Sequence, residues 1–262
     1  MTAFSLDRYF ERIQFRGVAD ATLATVADVM RCQMQHVPFE NLDIQAGKII
    51  SLDHGDIVEK LLTRQRGGYC YEVNGLFAMA LEALHIPYFF VAARPAAHGV
   101  KKPKIHMAVI VQCDGENWLC DCGFGGYGIR APMRVNVFDT PVSHDGELCM
   151  ITRDGADEFL LQTKVHDDWE ALYVFDLTPQ NWEDFAPANL YNSTDRDSFF
   201  VRKLLVVICT PNGRKILLGN ALKIITNGKT EKRLLAPEQR AVVLREEFGL
   251  LALPSQENLL IG

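Results

Sequence analysis

An α+β fold is predicted by three features of the chain. Helical periodicity fills residues 1–85, short apolar runs cut by Pro, Gly and Asp fill 86–195, and a small unit with both patterns occupies 196–262. Runs of helices followed by runs of strands, rather than regular alternation, point to segregated α+β layers.

The elements follow in order. Ser5 caps a first helix with Leu6, Tyr9, Phe10 and Ile13 on one face. A second helix is predicted from Ala21 to Gln35, started by Asp20 and stopped by Pro38. A third covers Gly55–Arg64, and a fourth starts near Cys70 with Val73, Leu76, Phe77, Ala80 and Leu84 on one stripe. Strands are predicted at Tyr88–Ala93, Ile105–Val111, Trp118–Cys122, Leu148–Ile151, Glu158–Gln162 and Tyr173–Phe175. Trp182–Ser193 reads as a long connection. Phe199–Cys209, Lys215–Leu218 and Leu222–Ile225 read as strands, with turns at Pro211–Asn212–Gly213 and Asn227–Gly228. Pro237–Phe248 reads as a closing helix ended by Gly249.

Composition narrows the function classes. Of 262 residues, 48% are apolar and 23% charged, which suits a folded domain rather than a disordered chain. A net charge of −6 argues against a surface built for nucleic acid or anionic membrane. No apolar run approaches the roughly 18 residues needed for a membrane span. The first residues, MTAFSLDRYFERIQF, are amphipathic and charged, so no signal peptide is expected. Seven cysteines at irregular spacing suit free thiols in a reducing cytoplasm.

One of those thiols has a distinctive setting, Arg66–Gly67–Gly68–Tyr69–Cys70–Tyr71–Glu72–Val73–Asn74. Two glycines permit a tight turn directly before a helix start. The first helical turn offers unpaired N–H groups and a partial positive charge, which favour a thiolate and steady an oxyanion. Cys70 shares the stripe of Val73 and Phe77, so it faces inward, where a histidinium would complement it. Two readings stand at this point: a nucleophile, or a small buried cysteine after a Gly-Gly turn.

A hairpin supplies the complement. Asp114–Gly115 is a strong two-residue turn. It pairs Cys113 with Glu116, so Ala108 faces Asp121 and His106 lies diagonally on the same face as Asp121. A one-residue slip would separate them. The alternative is a structural histidine beside a turn-capping aspartate. Together with Cys70, the three form a nucleophile, base and orienter. Asp121 leads into Cys122–Gly123–Phe124–Gly125–Gly126–Tyr127–Gly128, a loop suited to close backbone approach by a phosphate, or simply an irregular turn. Cys113, Cys120, Cys122 and His106 lack a zinc spacing, and no metal is expected. His36, His54, His85, His98, His144 and His166 show no metal pattern. Lys101–Lys102–Pro103–Lys104 and the group Arg214, Lys215, Lys223, Lys229, Lys232 and Arg233 read as solvated charge. The first run alternatively helps an anionic ligand reach the cysteine.

The chain resembles the arylamine N-acetyltransferase family over nearly its whole length. The family's Arg-Gly-Gly-x-Cys-x-Glu-x-Asn is met by Arg66, Gly67, Gly68, Cys70, Glu72 and Asn74. Val37–Leu42 matches Val-Pro-Phe-Glu-Asn-Leu, and Asp121–Gly125 matches Asp-Val-Gly-Phe-Gly with Cys122 in place of Val. His106 matches a histidine in an apolar strand, Tyr191–Thr194 a Tyr-Asn-Ser-Thr stretch, and Thr210–Gly213 a Thr-Pro-x-Gly turn. The resemblance implies an N-terminal helical bundle, a central β-barrel and a C-terminal α/β lid around a cysteine-protease-like Cys-His-Asp core. It implies that Cys70 takes an acetyl group from acetyl-CoA, with His106 and Asp121 completing a triad, and passes it to a small arylamine, hydrazine or arylhydroxylamine. Gly125, Gly126 and Thr210 are then expected near the coenzyme, Phe39 and Phe124 in the acceptor pocket, and Arg64 and Glu40 behind the site. Other chemistries stay open: an amide synthase using another acyl thioester, a cysteine hydrolase or transglutaminase-like enzyme, or a non-catalytic binding protein.

Overall fold

The structure is a computed structural model that describes residues 3–96, 103–165 and 167–251. His98, Lys101, Lys102 and His166 lie outside the described residues. Five helices come first: α1 (Leu6–Ile13), α2 (Leu23–His36), α3 (Leu42–Gln45), α4 (His54–Val58, continued by a π-helical turn Glu59–Thr63) and α5 (Cys70–Ala83). Ser5 caps α1 as expected. At α2 the cap is Thr22, whose Oγ1 accepts from the Thr25 N–H at 3.3 Å. Asp20 instead accepts the Thr22 hydroxyl at 2.8 Å and the Thr25 hydroxyl, bracing the cap from outside. Val37 closes α2 in extended conformation, as a residue before proline prefers.

The largest departure among the helices is α5. The sequence predicts one inward stripe, whereas every residue from Cys70 to Leu81 is buried. A helix that is apolar nearly all round belongs at the centre of a fold, and α5 has the other elements packed about it.

Eight antiparallel strands follow: β2 (Tyr88–Pro95), β3 (His106–Cys113), β4 (Glu116–Cys120), β5 (Met133–Arg134), β6 (Val142–His144), β7 (Glu147–Arg153), β8 (Phe159–Val165) and β9 (Asp168–Phe175). Their order, β5-β4-β3-β2-β9-β8-β7-β6, curls into a nearly closed barrel. The Asp114–Gly115 turn has φ of 54° and 74°, the left-handed pair that a two-residue hairpin needs. Cys113 pairs with Glu116 and Val109 with Cys120, the register read from the sequence.

A second antiparallel sheet has the order β1-β10-β11-β12-β13. Its strands are β1 (Phe39–Glu40), β10 (Leu205–Thr210), β11 (Gly213–Leu218), β12 (Ala221–Thr226) and β13 (Lys229–Leu234). β1 comes from the helical part, so a two-residue strand beside the cysteine turn starts the outer sheet. β13 escaped the sequence reading because it is an edge strand exposed at every residue, with no alternation to detect.

Two connecting segments correct the sequence reading. Trp182–Ser193 is helical: a 3₁₀ turn (Trp182–Phe185) runs into α6 (Ala186–Thr194). Its inward residues, Asn189, Asn192 and Ser193, are polar, so hydrophobic periodicity misses it. Asn189 Nδ2 donates to the Ile50 carbonyl and Asn192 Nδ2 to the Ile105 carbonyl, each at 2.9 Å. Phe199–Cys209 is not one strand. Ser198 caps a short helix α7 (Phe199–Arg202), and β10 begins only at Leu205. The closing helix is a 3₁₀ turn (Pro237–Gln239) followed by α8 (Arg240–Phe248), ended by Gly249 at φ 67°.

One apolar core runs from Tyr9, Val26, Met30 and Phe77 of the helices into Val91, Val109, Leu161 and Phe175 of the barrel. A smaller core of Leu42, Val206, Leu217, Leu244 and Phe248 lies under the outer sheet. No helix among the described residues is long and apolar enough to cross a membrane.

Candidate active site

Cys70 opens α5. The turn before it is shaped by close passage of β1: a Cβ on Gly67 would meet the Pro38 carbonyl at 2.1 Å, which only glycine avoids. The Gly68 N–H donates to Pro38 O at 3.2 Å and Glu40 N–H donates to Gly68 O at 2.9 Å. Glu72, three residues into the helix, reaches back to accept the Tyr69 N–H at 3.1 Å. The N–H groups of Cys70 and Tyr71 have no acceptor among the described residues, so the positive end of α5 is open at the sulfur.

His106 is the first residue of β3, and Asp121 directly follows β4. The hairpin register brings them together: His106 Nε2 donates to Asp121 Oδ2 at 2.7 Å. The other ring nitrogen is left for Cys70, whose sulfur lines the same cleft as the imidazole and lies near enough to favour its charged form. Cys70, His106 and Asp121 are 2%, 4% and 1% exposed, so the contact is shielded from bulk water. Asp121 Oδ1 accepts from Asn74 Nδ2 at 3.0 Å and from the Gly123 N–H at 2.8 Å. Asn74 also donates to Met107 O at 2.7 Å and accepts from the Cys122 N–H at 2.8 Å. It therefore joins the cysteine helix to both strands of the hairpin. A Cβ at Gly123 would lie 2.7 Å from the Cys70 Cα, so this glycine lets the loop close on the helix.

Burial alone pushes the His106 pKa down. The Asp121 charge and hydrogen bond outweigh it, with the Cys70 sulfur adding to them, and His106 is raised to about 10. Burial pushes Asp121 up, but His106, Asn74 and the Gly123 N–H hold it below its usual range. The linkage signs follow. His106 contributes stability that is full below its unfolded value near 6.5 and lost as pH rises through about 10. Asp121 contributes stability present above its unfolded value and lost as pH falls through its depressed folded value. Urea unfolding is expected to show wild type losing stability from pH 6.5 to 10, with that component absent in His106→Gln. Equal alkaline slopes for the two proteins would refute the assignment.

A second buried network stands behind the nucleophile turn. Arg66 Nε and Nη2 donate to one Glu40 oxygen at 2.9 and 2.6 Å, and Nη2 also meets Asp43 at 3.1 Å. Lys60 bridges Asp43 at 2.9 Å and Glu72 at 2.7 Å. The other Glu40 oxygen accepts the Leu42 N–H at 2.7 Å. Burial works against charge on Asp43, yet Lys60 and Arg66 hold its carboxyl far below the usual range. For Glu72 burial prevails over Lys60 and raises it.

The sulfur opens into a cleft of about 250 Å³ lined by Cys70, His106, Phe124, Gly125, Gly126, Asn192 and Phe200, among others. Phe124 packs edge-on to His106 with ring centroids 5.3 Å apart, and Tyr173 covers both rings at 5.0 and 5.1 Å. The cleft-lining residues expected from sequence thus include Phe124, Gly125 and Gly126. Phe39 lies beside it, lining a small adjoining cavity with Phe124, Gly125 and Gly126, and its ring centroid is 5.9 Å from that of Phe200. Thr210 lines neither. Thr210 ends β10, and its carbonyl accepts from Arg130. Among the described residues no group of three or more His, Cys, Asp or Glu gathers as for a metal ion.

Comparison with known proteins identifies the family. A family model described as N-acetyltransferase matches residues 22–255. The chain is 34% identical to the arylamine N-acetyltransferase of Mycobacterium tuberculosis, covering 95% of this chain and 90% of that protein. It belongs to the arylamine N-acetyltransferase family. The members of that family are acyltransferases. The Escherichia coli arylamine N-acetyltransferase is 30% identical over 94% of this chain and 88% of its own length. The Mycobacterium marinum arylamine N-acetyltransferase solved in complex with CoA superposes with a TM-score of 0.91, at 31% identity, covering 97% of each chain.

One family-based expectation is corrected. Arg64 does not back the site: it is exposed and pairs with Glu59 at 3.3 Å. The cation behind the turn is Arg66, joined by Lys60. Arg64 and Arg66 both closely precede the glycine turn in sequence, and nothing local distinguishes their directions. Asn192 and Phe200 were also missed as lining residues, because they sit on helices that the sequence disguised as a connection and a strand.

Proposed function

We propose that this protein transfers an acetyl group from acetyl-CoA to small arylamines, arylhydrazines or arylhydroxylamines through an acetyl-Cys70 intermediate, in ping-pong order. The observation that carries the reading is the convergence of Cys70, at the open end of α5, with the hydrogen-bonded His106–Asp121 pair beside one aromatic cleft. Acetyl-CoA is a substrate here. The CoA complex of a relative at 31% identity supports it as donor.

In the first half-reaction the Cys70 sulfur attacks the thioester carbonyl, its proton resting on His106. The open N–H groups of Cys70 and Tyr71 face the developing oxyanion. The tetrahedral species collapses, the C–S bond to the coenzyme breaks, and His106 returns the proton to the departing thiolate. His106 is then neutral. In the second half-reaction the acceptor nitrogen attacks acetyl-Cys70, His106 takes its proton, and the Cys70 sulfur leaves. Asp121 holds the ring throughout and stabilises the imidazolium. Phe124 and Phe200 suit a flat aromatic acceptor. Phe39 serves that pocket through Phe200. Gly125 and Gly126 allow the coenzyme close backbone approach, with the Thr210 turn behind them.

The division into units goes with this reading. Residues 1–85 bring the nucleophile, 86–195 the base and its carboxylate, and 196–262 a lid, around a core ordered as in cysteine proteases. All seven cysteines are free thiols, which suits a reducing cytoplasm.

The test is intact-protein mass spectrometry after incubation with acetyl-CoA and no acceptor. One acetyl group on Cys70, discharged by added arylamine, is the expected result. Unmodified protein beside intact acetyl-CoA would rule out the donor and redirect the reading to another acyl thioester.

A further inference from the structure

Two buried arginines outside the relay tie the glycine loop to the outer sheet from opposite directions. Arg214, on β11, directs Nη1 to the Gly126 carbonyl and Nη2 to the Gly128 carbonyl at 3.3 Å, while its Nε donates to Glu147 at 3.0 Å. Arg130, at the far end of the same loop, reaches the other way. Its Nη1 donates to Gly213 O at 2.7 Å, its Nη2 to Thr210 O, and its Nε pairs with Asp145 at 3.2 Å. The arginines are 1% and 2% exposed. Asp145 and Glu147 belong to one turn, that between β6 and β7. A third cation, Lys223 of β12, donates to the Tyr127 hydroxyl and lies 4.8 Å over its ring.

These contacts set peptide planes as well as holding segments together. In a trans peptide the C=O and the following N–H point in opposite directions. Anchoring the Gly126 carbonyl on Arg214 therefore turns the Tyr127 N–H away from Arg214. The Gly125 carbonyl accepts the Gly128 N–H at 3.2 Å, which orients the Gly126 N–H in the same manner. Gly125 and Gly126 have φ of 73° and 53°, line the cleft beside Cys70, and with Tyr127 carry N–H groups that find no acceptor among the described residues. The loop's carbonyls are satisfied, those of Gly126 and Gly128 by the buried Arg214 and that of Gly125 by the Gly128 N–H, and the amide side is not, which is the arrangement of a backbone site for hydrogen-bond acceptors.

We infer that Arg214 and Arg130 are positioning residues for the acyl donor: Arg214 holds the Gly126 and Gly128 peptides and Arg130 ties the end of the loop to the outer sheet, so that the loop's N–H groups meet the carbonyl and phosphate oxygens of the coenzyme portion. The inference rests on the proposed function. The arginines do not touch the donor themselves, since carbonyls and carboxylates already satisfy them. Lysine cannot reproduce the fork, because it is a point charge without paired planar donors.

The test uses two acetyl donors on Arg214→Lys and Arg130→Lys, each shown folded by thermal melting. One donor is acetyl-CoA. The other is p-nitrophenyl acetate, which lacks the coenzyme. For acetyl-CoA, KM is expected to rise about tenfold, the value of one hydrogen bond, with kcat changed by less than about twofold. The burst of p-nitrophenol from Cys70 acetylation, and its pH profile, should match wild type. If both donors lose rate in proportion to lost folded protein, the arginines are purely structural and the inference fails. Unchanged KM for acetyl-CoA in folded variants also overturns it. Should Arg214→Lys not fold, Lys223→Met loosens the loop from its less buried side, and a selective KM rise of about threefold is expected. Wild type acetylated by p-nitrophenyl acetate but not by acetyl-CoA would instead overturn the donor assignment itself.

Discussion

Cys70→Ser is expected to lower acetyl transfer by at least about 10⁴-fold while leaving the melting temperature close to wild type. The side chains are nearly isosteric at a buried position, so the fold has little to lose. On the proposed mechanism the chemistry loses its nucleophile. A serine hydroxyl holds its proton far more tightly than a thiol, and a histidine already held protonated by Asp121 cannot remove it. The alkoxide is also a poor leaving group from the acetyl-enzyme, so even an acetylated serine would stall before the acceptor step. Steady-state assays with an arylamine, and mass spectrometry for a stable ester, check both halves. Turnover above about one per cent of wild type would contradict nucleophilic catalysis by this residue.

Arg66→Met is expected to destabilise the protein by about 3–5 kcal/mol, the cost of leaving buried carboxylates without their cation. Glu40 is 1% exposed and loses both donors from Arg66, and Asp43 loses one of its cations. Lys60 cannot compensate, because it is already engaged with Asp43 and Glu72. The loss should reach activity as well. Glu40 lies on the strand that passes Gly67 and Gly68, and that turn sets the start of α5. Arg66→Lys keeps the charge but not the two-nitrogen grip on Glu40, so a smaller loss is expected. Urea midpoints for the three proteins measure this. A loss below about 1 kcal/mol in Arg66→Met would mean that solvent or rearrangement relieves Glu40, and the network would not be what holds the turn.

Much of the site was legible before any coordinates. The Asp114–Gly115 turn fixes a hairpin register by local backbone preference, and register alone puts His106 beside Asp121. Gly67 and Gly68 before Cys70 announce a tight turn into a helix, and α5 begins at Cys70. The legible features share one property: each is decided within a few residues by dihedral preference or side-chain alternation. Elements whose inward face is polar were not legible. Trp182–Ser193 looked like a connection because Asn189 and Asn192 fill the inner face of α6, and only their partners at Ile50 and Ile105 make that favourable.

The same line separates Arg64 from Arg66. Two residues apart in the chain, they part because Arg66 turns inward toward Glu40 and Asp43 while Arg64 stays in solvent with Glu59. No short-range preference distinguishes them, and the resemblance pointed to Arg64 where packing chose Arg66. Resemblance alone placed Phe39 and Thr210 at the binding pockets; packing sets Phe39 between Phe200 and the cavity it shares with Phe124, and gives the Thr210 carbonyl to Arg130. By itself the sequence determined where the candidate groups lie: a cysteine at a helix start, a histidine and an aspartate on one hairpin face, and glycines where backbones must nearly touch. Only the tertiary structure decided which side chains enclose those groups, because the contacts join segments distant in the chain, such as Asn41 to Lys203, 162 residues apart, and come from close packing of the whole core rather than from any local pattern.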